Sequence, residues 1–347
     1  MILFMMQRET YVLLVVLIVV SLLLGGCTND GVFSPIPNSA DILFVSNRDS
    51  GSRRKEIYSL DVDTGGISRI SYTTNHHFII GMDPSHQYIV ASCADKDTDP
   101  PVGLGDEDRR SLWIYDLDSQ EMTRLTDDKN TAEGDSFSPD GEWIVFHMRL
   151  ANEAQTDLYK IRRNGSDLTR LTQTPDVLEA DPCWSHDGKR IVYTSFDIVT
   201  PRFVLKIMDA DGGSVQELYD GGEGVATAAF PPGNYDPSWS PDDQWIVFER
   251  AMNYSGQNWD SGVWHIFKIR SDGTNIIDLS IAGNHSDRAE YLPSFSPNGD
   301  SIIFGSLYET NESDSSFVDV FTMDADGTSP LRLTFNDASD MFPIWIP

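Results

Sequence analysis

A short motif that recurs along the chain restricts its fold more than any other feature of the sequence. Four clear copies begin at Asp135, Asp181, Asp236 and Leu292, and a weaker copy begins at Met82. Each clear copy has an aromatic residue, a turn similar to Ser-Pro-Asp-Gly, and then an alternation of apolar residues. This pattern is typical of two antiparallel strands joined by a tight turn. A strand-containing repeat of about 40 to 50 residues indicates a radial or solenoid array.

Each repeat contains two further strand-like segments downstream of the motif. Leu158 to Ile161 is an example of the third segment, and Thr169-Arg-Leu-Thr172 is an example of the fourth. Tight turns such as Asp209-Ala-Asp-Gly-Gly213 separate the two. These turns resemble fragments of a calcium loop but lack its distal glutamate, so a structural turn is their expected role. Four antiparallel strands per repeat make one blade of a β-propeller.

The turn position of the motif predicts the number of blades. It falls at six places, namely Pro84, Pro139, His186, Pro241, Pro297 and Pro347. The last copy has only a first strand, whereas segments like a second, third and fourth strand lie at 41–45, 57–60 and 67–71. We therefore predict an all-β fold, a six-bladed β-propeller with four-stranded antiparallel blades over residues 41–347. We expect the N- and C-terminal segments to share the closing blade, which would remove exposed sheet edges.

The N-terminal segment is typical of a secreted lipoprotein. Tyr11 to Gly26 is apolar or small throughout and leads into Leu24-Gly-Gly-Cys27. The run is shorter than the roughly 20 residues of a membrane-spanning helix, and small residues lie where a peptidase would cut. We predict a signal peptide at 1–26, a diacylglyceryl group on Cys27 and a linker at 27–40, with an uncleaved membrane anchor as the alternative. Both alternatives place the rest of the chain outside the cytoplasm.

The motif and its downstream segments resemble a known repeat. Trp/Phe-Ser-Pro-Asp-Gly-x-x-Ile-x-Phe followed by Arg-Leu-Thr is similar to the WD-like repeat of the TolB-type β-propeller family, over nearly all of 41–347. The resemblance implies the fold but no single function, because such blades occur in binding scaffolds, peptidase accessory domains and polysaccharide lyases. TolB has an α/β domain before its propeller and no lipid. Only Thr28 to Ala40 lie between Cys27 and the first strand here, so the Pal-binding role of TolB is not expected.

The charge balance limits the possible partners. The chain has 54 acidic and 25 basic residues and a formal net charge of −29. This charge argues against nucleic acid or an anionic lipid surface as a partner, and it favours cations, basic partners or simply a solvated surface. Cys93 and Cys183 fall in non-adjacent repeats, so we predict two free buried thiols and no disulfide framework. We also expect a monomer.

Polar residues at one position of the repeat form a candidate site. The position lies six residues before the motif serine, where a first strand would begin at the mouth of the central channel. The candidate ring is His77, Glu133, Glu179, Asn234, Glu290 and Asp340, with Glu133 lying beside the aligned Ala132. Convergent oxygen atoms there could hold Ca²⁺ or the amine of a basic peptide. The alternative is that these side chains cap backbone groups.

The predicted loops differ in length between the two faces of the propeller. The connections between blades and those joining second to third strands lie on one face, which we call the long-loop face. It has long connections at 94–110, 220–235, 250–262 and 307–316. The tight hairpin turns lie on the other face, the hairpin-turn face. Because long loops often carry function, we expect binding on the long-loop face, with Tyr254, Trp259 and Tyr308 as candidate contacts for sugar or protein.

Sequence motifs of known catalytic sites are missing from the chain. It has no Gly-x-Ser-x-Gly, His-Glu-x-x-His or Cys-x-x-Cys sequence, although propeller enzymes can gather residues from several blades. We therefore expect a cell-envelope lipoprotein that binds a protein or peptide. The alternative is a carbohydrate-binding or carbohydrate-active propeller, similar to a lyase or glycosidase, with a divalent cation at the channel mouth.

Overall fold

The computed structural model describes residues 32–49, 55–72, 77–94, 110–200, 202–223, 233–254, 262–308 and 317–347. These residues form strands connected by turns, and one four-residue helix, α1, spans Leu279–Ala282. The strands are β1 (Val32–Phe33), β2 (Ile42–Ser46), β3 (Glu56–Leu60), β4 (Ile67–Arg69), β5 (Ser71–Tyr72), β6 (His77–Met82), β7 (Tyr88–Ala94), β8 (Arg110–Asp116), β9 (Glu121–Arg124), β10 (Thr131–Phe137), β11 (Trp143–Arg149), β12 (Asp157–Arg162), β13 (Thr169–Arg170), β14 (Val177–Trp184), β15 (Arg190–Asp197), β16 (Arg202–Asp209), β17 (Gln216–Glu223), β18 (Asn234–Trp239), β19 (Trp245–Tyr254), β20 (Gly262–Arg270), β21 (Ile277–Asp278), β22 (Ala289–Phe295), β23 (Ser301–Tyr308), β24 (Phe317–Asp324), β25 (Leu331–Arg332) and β26 (Asp340–Trp345). No helix among the described residues is long and apolar enough to cross a membrane.

β1 and β5 pair with each other, and the remaining strands associate in antiparallel groups of four. Three groups follow chain order, β6 to β9, β10 to β13 and β14 to β17. Two more, β18 to β21 and β22 to β25, are joined into one sheet by a parallel pairing of Trp264 with Ala289. In the remaining group β26 pairs with β2, which leads on to β3 and β4. The predicted all-β class with four-stranded antiparallel sheets is confirmed.

The motif serine organises the turn between the first and second strands. Its hydroxyl accepts a hydrogen bond from the backbone N–H five residues later, at 2.9 Å from Trp143 N to Ser138 Oγ and 3.0 Å from Arg190 N to Ser185 Oγ. The glycine of the turn has a positive φ, 69° at Gly141, which costs glycine little. Serine and glycine therefore close the turn, and this explains why both recur.

The Arg-Leu-Thr segment attaches the outer strand to the third strand. The hydroxyl of Thr172 accepts a 2.9 Å hydrogen bond from Leu158 N, and the hydroxyl of Thr334 accepts a 3.0 Å bond from Val320 N. The arginine two residues earlier pairs with a buried acid on the third strand, as Arg332 does with Asp319 at 2.7 Å. The same pairing occurs between Arg69 and Glu56 and between Arg170 and Asp157, so three repeats satisfy a buried acid with their own arginine.

The apolar core lies between adjacent sheets. Val90, Leu112 and Ile114 of one group pack against Ile144 and Phe146 of the next, and all five are at most 6% exposed. Similar clusters fill the other sheet interfaces. Each sheet therefore buries both of its faces. Cys93 is buried and Cys183 is partly buried, and both are free thiols.

Two neighbouring sheets depart from the turn motif in ways that compensate each other. His186 replaces the proline of its turn and so has a backbone N–H, and Asp243 replaces the glycine of the next turn and has a φ of 55°. The Asp243 carboxylate accepts from His186 N and Asp187 N, both at 2.8 Å. The aspartate therefore satisfies a donor that a proline would not have.

This compensation predicts non-additive effects on stability. Asp243→Gly should relieve the positive φ but leave two N–H groups unpaired, and His186→Pro should deprive Asp243 of a donor. We expect each single variant to lose about 1 to 3 kcal/mol and the double variant to recover at least about 1 kcal/mol of the summed loss. Urea unfolding of all four proteins measures the coupling, and strictly additive losses would contradict it.

Candidate functional site

The first strands of the six groups surround one cavity of about 460 Å³. Its lining includes residues of β6, β10, β14, β18, β22 and β26. The contacts between these strands run from β6 through β10, β14, β18 and β22 to β26, and β26 also contacts β6. We call this cavity the central channel.

Backbone bulges direct two acidic side chains to the channel. The first strands shift register against the second between Ala180 and Cys183 and between Tyr235 and Ser238. Asp181 and Asp236 lie in these shifts with φ angles of 50° and 48°, and both line the channel. A bulge re-aims the side chain at the extra residue. The channel wall therefore has a carboxylate from each of two adjacent sheets.

Glu249 of β19 and His147 of β11 add ionisable groups beside them. Glu249 is buried and accepts a hydrogen bond from Leu292 N. His147 lines the channel, and its Nδ1 atom is buried with no partner among the described residues. Its charge favours the ionised form of Asp181. Carboxylate groups, which accept hydrogen bonds when ionised, thus outnumber basic side chains in this part of the channel.

Burial controls the ionisation of the two coupled acids. It raises the pKa of Glu249 to about 8, against the opposing effect of the Leu292 N–H, and the charge of Asp181 raises this pKa further. Burial also raises the pKa of Asp181, and the His147 charge and a backbone hydrogen bond oppose this rise. Two nearby carboxylates cannot both ionise cheaply in a poorly solvated site. A cationic group entering the channel would relieve this cost.

The six ring residues predicted at the channel mouth do not belong to the lining of this cavity, and their role in binding stays a prediction. They lie at or near the beginning of the first strands, but none lines the channel. Glu290 accepts from Ser280 Oγ at 2.5 Å and lies 2.6 Å from Nδ1 of His285. Asp340 is paired with Arg48 at 2.7 Å.

The other four ring residues also contact a neighbouring sheet. Glu133 binds Arg110 at 2.5 Å, and Nδ2 of Asn234 donates to Phe203 O at 3.1 Å. His77 Nε2 lies 3.8 Å from a Glu56 carboxylate oxygen. Glu179 is 3.4 Å from Thr174 Oγ1, and burial raises its pKa. These side chains link successive sheets.

The described residues offer no shared cation site. No group of three or more His, Cys, Asp or Glu side chains within the ranges that the structure describes is arranged to hold a metal ion. Convergence of Glu179, Glu290 and Asp340 on one Ca²⁺ therefore has no geometry to support it here. The Asp-x-Asp-Gly turns cap their own backbone, as Asp211 does by accepting from Gly213 N at 3.0 Å.

The structure leaves the three predicted contact aromatics untested. Tyr254 and Tyr308 are the last residues of β19 and β23, and Trp259 lies outside the described residues. The channel acids, by contrast, were missed by counting along the sequence. Both acids stand in the sequence Asp-Pro-x-Trp, which begins at Asp181 and at Asp236. This sequence is the signal that could have identified the two channel acids.

Sequence comparisons place the chain among TolB-like propellers. Residues 101–257 match the TolB beta propeller domain family, PD40. An uncharacterized protein of Agrobacterium fabrum is 32% identical over 149 residues, or 40% of this chain and 46% of that protein. The Tol-Pal system protein TolB of Francisella tularensis is 27% identical over 245 residues, or 68% of this chain and 49% of that protein. The chain thus spans about half the length of these relatives.

Solved structures share the fold. TolB from Acinetobacter baumannii matches 90% of this chain and 68% of its own with a TM-score of 0.62 and 19% identity. A TolB-like structure from Agrobacterium tumefaciens, described as putative, matches 89% of this chain and 99% of its own with a TM-score of 0.57 and 18% identity. The family match over residues 101–257, together with the repeat motif and the four-stranded sheets, shows that the chain contains a TolB-like β-propeller domain.

Proposed function

We propose that the chain is a cell-envelope lipoprotein whose channel binds a basic peptide segment of a protein partner. The carboxylates of Asp181 and Asp236 in the wall of a cavity bounded by six strands, with the buried Glu249 beside Asp181, are the observation that carries the proposal. A pocket of this size, with a few convergent polar groups on an otherwise apolar wall, suits a small part of a ligand. A lysine side chain or a free α-amine supplies the charge that the wall lacks.

The proposal includes a closed six-bladed ring. The cyclic contacts of the first strands and the pairing of β26 with β2 support closure, because each group then has a neighbour on both sides. A closed ring holds its wall rigidly without exposed sheet edges. The channel acids would then be preorganised for the ligand.

The relatives support a partner in the cell envelope. The Francisella tularensis relative is a protein of the Tol-Pal system. An acidic channel and the net charge of −29 both favour a basic partner. No feature of the described residues favours the carbohydrate alternative over this one.

Peptide binding to the purified chain tests the function. We choose the peptide Lys-Lys-Pro-Pro-Gly with fluorescein at its C-terminus, measured by fluorescence anisotropy. Asp181→Asn/Asp236→Asn should weaken binding at least about tenfold, since hydrogen bonds to charged groups contribute about 1.5 to 3 kcal/mol each. The control Asp63→Asn/Asp287→Asn makes the same change in net charge at exposed positions and should leave binding within about twofold. Equal losses in both variants would refute channel binding.

The lipid anchor has its own test. Only a thiol can accept the diacylglyceryl group, so Cys27→Ser should abolish incorporation of labelled fatty acid. A stable anchor would need the second acyl chain that a lipoprotein also carries. Cys93→Ser, which changes a buried thiol, is the control and should incorporate label normally. Labelling of the Cys27→Ser protein would show that the lipoprotein assignment is incorrect.

A further inference from the structure

We infer that ligands enter the central channel from the hairpin-turn face, through a rim of turn residues, and that this route selects cations. The inference rests on the proposed channel function but concerns a different property, the direction of access. Sequence reasoning from loop length favours the opposite, long-loop face for binding.

The cavity lining identifies the open side. It includes the turn residue of every repeat, namely Pro84, Pro139, His186, Pro241, Pro297 and Pro347. All of these except Pro241 are exposed, and Pro241 is half-buried. The same continuous lining also reaches the bulge residues Asp181, Asp236, Leu292 and Phe342. A path thus runs from solvent at the hairpin turns to the acidic wall.

The residues that line this path indicate which kind of ligand would fit it. Proline rings form most of the rim, and they present apolar surface without backbone donors. Trp184 and Trp239 belong to the same lining as Asp181 and Asp236, and the two tryptophans are at most 7% exposed. A suitable occupant has an extended, weakly polar stem and a cationic tip. We therefore commit to a peptide end that carries lysine or a free amine.

The long-loop side offers a different environment. Glu290 and Asp340, near the beginning of their strands, are almost fully buried and already hydrogen-bonded to His285 and Arg48. Neither belongs to the cavity lining. A cation arriving there would have to displace these partners. Asp181 and Asp236, by contrast, belong to the cavity lining and are reached along the path from the turns.

Cys183 provides a native reporter for the route. It is partly exposed and belongs to the channel lining, between Asp181 and the turn that contains His186. The other cysteine of the described residues, Cys93, is fully buried and should react only on unfolding. The reaction rate of Cys183 therefore measures passage through the rim.

The experiment compares cationic and anionic methanethiosulfonate reagents of similar size on the folded protein. We expect the trimethylammonium reagent to modify Cys183 at least about tenfold faster than the sulfonate reagent, relative to their rates with a free thiol. Asp181→Asn/Asp236→Asn should remove most of this preference. Slower reaction of the cationic reagent in the wild type would overturn the charge selection.

Two matched substitutions determine the direction of access. Pro139→Trp places bulk at the rim, and Val199→Trp places the same bulk at a position 69% exposed in the β15–β16 connection of the long-loop face. We expect the rim variant to slow both reagents at least about fivefold and the Val199 variant to leave them unchanged. The reverse result, or no slowing by either, would overturn access through the hairpin turns. If the peptide fails to bind but Pro139→Trp still slows both reagents, the proposed function is rejected and access through the hairpin turns is retained.

Discussion

A protein that lacks Met341 to Pro347 should lose cooperative folding or at least about 5 kcal/mol of its free energy of unfolding. The deletion removes almost all of β26 and so uncovers β2, in which Ile42, Leu43, Phe44 and Val45 are fully buried. Exposing a large apolar side chain costs about 1.5 to 3 kcal/mol, and a typical domain is stable by only about 5 to 15 kcal/mol. The loss of unfolding free energy should exceed the loss expected from removing the Phe342 and Trp345 side chains alone, because both are partly exposed.

Thermal unfolding followed by circular dichroism measures this effect. The control removes only Pro347, which is exposed and lies beyond β26, and it should unfold within a few degrees of the full chain. An unchanged melting temperature in the longer deletion would contradict ring closure through β26.

The second large effect concerns Glu249 and depends on pH. The folded pKa of Glu249, about 8, lies above its usual 4.5, so the folded protein binds the proton more tightly than the unfolded chain does. The contribution of this group to stability must therefore fall as the pH rises from about 4.5 to about 8. Glu249→Gln keeps an acceptor for Leu292 N but cannot ionise. It should be more stable than the wild type at pH 8, by an amount on the order of 4 kcal/mol at most, and nearly equal at pH 5.

Urea unfolding at the two pH values measures this difference. Glu121→Gln, at an exposed position, removes the same charge and should behave like the wild type at both. If Glu249→Gln is no more stable than the wild type at pH 8, then Glu249 ionises in the folded state without a loss of stability.

Periodicity and turn chemistry predicted the fold well because both are local. The third strand expected at Leu158 to Ile161 lies within β12 (Asp157–Arg162). The shared sheet was also predictable, since β26 does pair with β2. Proline, glycine and alternating apolar residues specify such elements without knowledge of distant contacts.

The candidate site was harder to predict because a bulge changes which side chain faces the channel. Counting six residues back from Ser185 reaches Glu179, which lies against the preceding sheet, whereas counting four back reaches Asp181. A change of register reverses the direction of side chains along a strand. The Asp-Pro pair at 181–182 marks this position, but a count of six residues takes no account of the register shift between Ala180 and Cys183.

The repeat pattern also could not predict which side chains on different strands pair with each other. In the fourth group Asp278 stands where other repeats have arginine, and its carboxylate lies 2.7 Å from His265 on the third strand. The acid and the base have exchanged strands here. Only the paired register of β20 and β21 shows that the two substitutions belong together.

The pairing of β26 with β2 also affects how the chain folds. Ile42 and Trp345 face each other in the sheet but lie about 300 residues apart in the sequence. During synthesis, β2 leaves the ribosome long before its partner exists, and its apolar edge stays unpaired for that time. Contacts between such distant segments form slowly, and an unpaired strand edge promotes aggregation. The edge of β2 should therefore be a site of aggregation until β26 is made and pairs with it.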